Sequence, residues 1–346
     1  MRRALLAAAL ALLPGATGAP RVDAARLLEA APAPKLADYG LFADAAGRVP
    51  APGVVRYTLN TPLFSDYAEK FRYAWLPPGT AARATGAGMP DFPIGTVLVK
   101  SFGYPADFRA PDQTLRIIET RLLVRREAGW VPLSYVWNAA QTEAVLKRAG
   151  AHIPVSFIDA QGRPRSLDYA VPNTNQCKQC HQQGTTATPI GPTVENLNGG
   201  LDGHGENQLA AWARAGRLTG LPEAPARLAR WDNAAEPLAA RARAYMDVNC
   251  GHCHSRAGFA SNSGLYLQHD EPGLAAQGIN KRPVAAGRGS GGHSVAIAPG
   301  APERSILVHR MESNEPGVMM PQFGRSVAHE EGVALVRAYV AQLKAD

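Results

Sequence analysis

Short runs of alternating apolar and polar residues fill the chain from Pro20 to about Ser166. TVLVKSF (96–102), LRIIETRLLVRR (115–126) and WVPLSYVW (130–137) are rich in β-branched and aromatic residues, and LPPGT (76–80) and GRPR (162–165) punctuate them. That period and that punctuation predict strands. NAAQTEAVLKRAG (138–150) reads instead as a helix stopped by Gly150. In ENQLAAWARAGRL (206–218), Leu209, Trp212, Ala213 and Leu218 share one face at helical spacing. LPEAPARLARWDNAAEP (221–237) is a Pro/Ala-rich connector. Beyond it, EPLAARARAYMDVNCGHCH (236–254) and HEEGVALVRAYVAQLKA (329–345) predict an opening and a closing helix. Val333, Val336, Val340 and Leu343 line one face of the closing helix, and Glu330 and Glu331 suit its positive first turn.

The N-terminus has a different pattern. MRRALLAAALALLPGATG (1–18) has two arginines, an apolar run from Ala4 to Leu13, a Pro-Gly turn and a small-x-small site. This is the layout of a cleaved secretory leader, and the apolar run is too short to span a bilayer. The expected organisation is therefore a leader (1–18), a β-rich domain (19–220), a linker (221–237) and a helical domain (238–346). An exported, periplasmic protein without stable membrane insertion is expected. Loss of Arg2 and Arg3 takes the formal charge from +7 to +5. The basic residues do not interleave with aromatics in a dense run, so nucleic acid is not an expected partner. GRGSGG (287–292) fits a dinucleotide fingerprint only in letters, because no strand precedes it and a proline soon follows.

Four cysteines carry the chemistry. Cys177, Cys180 and His181 stand in NTNQCKQCHQQG (173–184), and Cys250, Cys253 and His254 in MDVNCGHCHSRAG (246–258). Exported chains usually pair cysteines in disulfides, and cross-pairing between the motifs is compatible with the spacing. A four-cysteine zinc site would have to join halves separated by residues 181–249, far beyond the usual spacing. The third reading is two covalently attached haem c groups. Cysteines three apart reach the two vinyl groups of one porphyrin, and the next histidine presents its imidazole to the iron. With nine histidines in 346 residues, both pairs would be followed by histidine by accident less than about once in a thousand chains. His181 and His254 are thus the expected proximal ligands. His252, at an x position, is expected to be solvated or locally hydrogen-bonded.

The segment 238–346 resembles a class I cytochrome c, an all-α fold. In that family a loop methionine just before a proline supplies the distal ligand, which implies Met320 of MMPQFGRS (319–326), with Met319 as the weaker alternative. No such loop follows His181. Its distal candidates are His204 first, then His152, Met89 and Met246. The order FPIGTVLVKSF, a Trp-containing strand, then N-x-x-x-C-x-x-C-H is similar to β-rich cytochromes of the P460 type. Those leave the distal side open and carry a haem-linked lysine, which points to Lys100.

From LNTPLFSDYAEKFRYAWLP (59–77) to the MMP loop, the chain resembles a family of exported bacterial dihaem c-type cytochromes. The resemblance implies an α+β protein, with a β-rich N-terminal domain carrying one haem and an all-α class I cytochrome c-like domain carrying the other. The expected function is electron transfer between redox partner proteins. An open distal site on the first haem would make the protein a peroxidase-like enzyme or a gas-binding protein instead.

Overall fold

The computed structural model describes residues 21–344; the expected leader lies outside them. A short helix, α1 (Ala24–Leu28), precedes the strands β1 (Val55–Tyr57), β2 (Glu69–Trp75), β3 (Ala82–Arg83), β4 (Val97–Tyr104), β5 (Arg116–Arg126), β6 (Gly129–Trp137) and β7 (Ala144–Leu146). Six of these form one antiparallel sheet in the order β1-β2-β4-β5-β6-β7. The three runs predicted as strands are its centre. The predicted helix at 138–150 is not formed, and β7 occupies part of it as an edge strand paired with β6. Gln141, at φ 57°, turns the chain there and bonds both the amide and the carbonyl of Ile117 at 2.7 and 2.9 Å. A long-range partner thus overrides the local helical period.

Alternate residues of a strand face opposite sides of the sheet. One face packs Tyr73, Val97, Val99, Leu122, Val124 and Tyr135 against Leu27, Leu36, Tyr39 and Leu41 of the N-terminal segment. Tyr39 and Tyr135 fasten that cover by bonding the amide and the carbonyl of Ala33 at 2.9 and 2.8 Å. At one end of the sheet the hairpin β8 (Ala151–Ile158) and β9 (Pro164–Val171) packs Val155, Phe157 and Tyr169 on Phe102 and Tyr104.

The chain then runs through α2 (Thr174–His181), the hairpin β10 (Gln182–Gln183) and β11 (Thr186–Ala187), α3 (Val194–Leu197), the hairpin β12 (Gly200–Leu201) and β13 (His204–Asn207), α4 (Gln208–Arg214) and β14 (Leu218–Thr219), which pairs in parallel with β3. The connector 221–237 is anchored rather than free. Leu228 is buried with Ala244 and Val248, and its amide donates to Glu195 O at 2.9 Å.

The C-terminal region departs from expectation. Residues 238–346 do not form an all-α class I cytochrome c-like domain. Among the described residues they hold three α-helices, α5 (Leu238–Met246), α6 (Ile306–Glu312) and α7 (Glu330–Gln342), of nine, seven and thirteen residues. Between α5 and α6 the chain is one π-turn, loops, turns and single 3-10 turns, because glycine and proline recur too often for a longer helix to propagate. The protein is accordingly β-rich overall. The three helices share a core of Tyr245, Met246, Leu307, Val308, Met311, Val336 and Val340.

This region docks directly on the sheet domain through the loop Leu63-Phe64-Ser65-Asp66-Tyr67. Asp66 Oδ1 accepts from the amides of Ser326 and Val327 at 2.6 and 3.1 Å, and Phe64 N donates to Asn249 Oδ1 at 2.8 Å. Asp66 and Tyr67 both hold left-handed backbone, φ 50° and 62°, a strained choice for non-glycine residues. No helix among the described residues is long and apolar enough to cross a membrane.

Candidate functional site

Strand β9 hands the chain to α2 through Asn173, whose side chain caps the helix. Asn173 Oδ1 accepts from Gln176 N at 3.0 Å, and Gln176 Oε1 accepts from Asn173 N at 2.9 Å. The helix puts Cys177 against Ser134 of β6, at 4.0 Å, and ends on His181. The β10–β11 hairpin then returns the chain, so that His181 Nδ1 bonds Thr188 O at 2.8 Å while Thr188 N donates to His181 O at 2.7 Å. Nδ1 facing a carbonyl must carry the proton, which leaves Nε2 with its lone pair. This is the arrangement of a metal-ligating histidine. Burial, with Lys100, Arg121 and His252 nearby, holds its pKa down to about 4.

The second motif is built differently. Helix α5 widens into a π-turn at Asp247–Gly251, a feature common where a helix carries function. His254 then follows on a tight turn, its amide bonded to Cys250 O at 2.8 Å. Ser263 Oγ donates to Ala260 O at 2.7 Å, so its lone pairs face His254 Nδ1 at 3.3 Å. Burial lowers this histidine also to about 4. His252, the x-position residue, makes a local bond from Nδ1 to Val248 O at 3.2 Å.

The two C-x-x-C-H loops meet. Gln183 pairs with Gly258 across an antiparallel bridge, Gly184 N donates to Ala257 O at 2.7 Å, and Gln183 Nε2 donates to His252 O at 2.8 Å. The neighbouring Cys253 thiol and burial raise the Cys180 pKa, while Cys180 lowers that of Cys253 against the opposing effect of burial. All four thiols are unbridged. Among the described residues no set of cysteines brings three ligand atoms together; the one such group is Glu195, Asp247 and His269. There the two carboxylates flank the imidazole, Glu195 at 3.2 Å from Nε2 and Asp247 at 3.7 Å from Nδ1. Asp247 first and then Glu195 raise its pKa to about 10, so the imidazolium itself satisfies the carboxylates.

Each motif opens into its own cavity. The first lies between the sheet, residues 189–192 and the C-terminal region, and exposes Cys177, Cys180 and His181. The second exposes Cys250, Cys253 and His254 beneath residues 281–286 and α6. Met320 lines both, whereas Met319 lines neither. Arg325 donates to Met320 O at 2.9 Å, and Met320 N donates to Arg310 O at 2.9 Å, which fixes this residue between the two cavities.

The distal candidates for His181 are scattered. His204 is exposed on β13. His152 is exposed on β8 and bonded to Asp168 at 2.7 Å. Met89 packs, half-buried, against the cluster that holds Phe92 and Trp212, and Met246 is buried in the C-terminal core. Lys100 does line the first cavity.

Three cavity groups had no signal in the sequence. His329 lines the first cavity but is held in a box, stacked on Phe64 at 4.2 Å and bonded through Nδ1 to Tyr245 Oη at 3.0 Å. Arg72 and Arg121 face the same cavity beside Lys100. The register pairs Arg72 with Lys100, Lys100 with Arg121 and Arg121 with Ser134, so one row across four strands carries three cations. Arg121 is paired with Glu119, which is fully buried, at 2.7 and 2.8 Å. Burial first, then Arg72, Lys70 and Arg121, push Lys100 well below the ordinary lysine range. Lys70, next along the same face, falls to about 7 through burial and Arg72. The i, i+28 and i, i+21 separations that build this row follow only from strand register.

Comparison with known proteins adds no name to this geometry: no family model, no curated protein and no solved structure matches the chain.

Proposed function

We propose that this protein is an exported dihaem c-type cytochrome that passes electrons between redox partner proteins. The observation that carries the reading is the docking of two C-x-x-C-H loops against each other, each with a neutral, Nδ1-bonded imidazole lining a cavity. Cys177 and Cys180 would anchor one porphyrin and Cys250 and Cys253 the other, with His181 and His254 as proximal ligands. Haem held there supplies a one-electron ferric/ferrous couple. The chain contributes the rest. Thr188 O and Ser263 Oγ fix the two imidazole tautomers, and apolar walls exclude water. The bridge between Gln183 and Gly258 sets the two loops side by side, a short route between centres.

The donor set fits the group in a further respect. Arg72, 6% exposed, has a buried Nη2 without a partner in the first cavity. A buried cation without an anion is costly, and porphyrin carboxylates would relieve it. Met320, which shares a cavity with His254, is the sixth ligand on that side in this reading.

A second reading has one observation in its favour. None of His204, His152, Met89 and Met246 lines the first cavity, and Met320, which does, belongs to the second haem in this reading. An iron on His181 with an open sixth position would bind a gas or a peroxide, and the protein would be an enzyme or sensor. The test is intact mass and pyridine haemochrome analysis of protein from cells with cytochrome maturation machinery. Two haems per processed chain are expected, and an unmodified mass sinks the proposal. Carbon monoxide titration of the reduced protein then separates carrier from open site.

A further inference from the structure

We propose that Arg72 and Lys100 receive the two propionate carboxylates of the first haem, an assignment that rests on the haem reading above. The argument begins with charge. Four cations, Lys70, Arg72, Lys100 and Arg121, crowd one face of β2, β4 and β5. Glu119 occupies Arg121 through two bonds. Lys70 Nζ donates to Ala68 O at 3.1 Å. Asp66, the other buried carboxylate nearby, is taken up by the Ser326 and Val327 amides. Among the described residues, neither Arg72 nor Lys100 has an ion-pair partner. Two cations in the cavity therefore lack anions, and a haem brings two carboxylates.

Position agrees with charge. Thioether links form at the vinyl groups, and the propionates leave the opposite edge of the porphyrin. Cys177 sits against Ser134, at the β6 end of the cationic row. Arg72, on β2, is three strand spacings away, about 14 Å at roughly 4.8 Å per strand. A porphyrin pinned at Cys177 and lying along the row would bring its propionate edge to Lys100 and Arg72. The buried Nη2 of Arg72 then gains the acceptor it lacks.

The experiment is spectroelectrochemical titration of both haems in the holoprotein, in wild type, Arg72→Leu, Arg72→Lys and Lys100→Met, with resonance Raman spectra of the propionate bending modes. The His254 haem is identified as the one missing from a Cys250→Ser, Cys253→Ser variant. A cation near the iron disfavours the ferric charge, so Arg72→Leu should lower the potential of the His181 haem alone. The expected size is about tenfold in its ferric/ferrous ratio at a fixed ambient potential, as for a unit charge roughly 10 Å away at a protein-like dielectric. Arg72→Lys should keep most of the wild-type value, and the propionate mode should shift in the leucine variant. If Arg72→Leu does not fold, Lys100→Met carries the same expectation. Two haems, unchanged potentials and an unchanged propionate mode would overturn the assignment. So would a wild-type potential that moves saturably with added chloride or nitrite, because an exchanging anion would then fill the row. A haemochrome count of zero would instead remove the haem reading itself.

Discussion

Replacing Glu119 by glutamine should destabilise the fold severely, and removing Arg121 as well should undo most of the damage. Glu119 is fully buried and accepts two bonds from Arg121, at 2.7 and 2.8 Å, and one from Tyr169 Oη at 2.8 Å. Glutamine keeps one acceptor but removes the charge. Arg121 is then left beside Lys100 and Arg72 with no counter-ion. Breaking a buried pair from one side costs about 3–5 kcal/mol. The Arg121 side chain is 23% exposed, so the lower end, about 3 kcal/mol, applies. Replacing both members by apolar residues of similar volume, Glu119→Leu with Arg121→Met, removes the stranded charge, and about 1 kcal/mol or less should remain. Guanidinium unfolding of the holoprotein, followed by far-UV circular dichroism, measures both variants, and with the Glu119→Leu and Arg121→Met single variants the double-mutant cycle gives the coupling. A loss below about 1 kcal/mol in Glu119→Gln would refute the reasoning. So would a double variant as unstable as the single one.

The imidazolium between Glu195 and Asp247 should make stability fall at alkaline pH. His269 titrates near 10 when folded against an ordinary 6.5, so its contribution is complete below pH 6.5 and lost as pH rises through 10. A third of the side chain is exposed, so screening reduces the loss to about 1–2 kcal/mol, and His269→Gln should flatten the difference in unfolding midpoint between pH 6 and pH 10. Met320→Ala should abolish the near-infrared sulfur-to-iron band and lower one potential while leaving both haems attached; loss of that band in Met319→Ala instead would reverse the choice. His204→Ala should leave absorption spectra and carbon monoxide binding unchanged, because β13 is exposed away from both cavities.

The sheet was readable because β4, β5 and β6 carry their β-branched and aromatic residues in runs that no helix suits, and the two C-x-x-C-H motifs because their residues are contiguous. The reading failed where a distant partner decides the outcome. Gln141 turns the chain by bonding Ile117 across the sheet, and nothing within 138–150 announces it. The helical C-terminal domain was inferred from its two ends, which do form α5 and α7, while the glycines and prolines between them leave most of the segment irregular. Arg72, Lys100 and Arg121 look like unremarkable strand charges one at a time. Register alone turns them into a buried row. His329 needed Phe64 and Tyr245 beside it before it became part of a cavity.

The shared walls of the two cavities bear on how the protein is made. Tyr245, Met320, Arg325 and His329 close the cavity that serves His181, and Gln179 and Cys180 contribute to the one that serves His254. A ribosome delivers Cys177 and Cys180 well before the residues that roof them. Without the C-terminal region the first cavity lacks Tyr245, Met320, Arg325 and His329 from its wall. In the dihaem reading, closing the first cavity therefore waits for the far end of the chain.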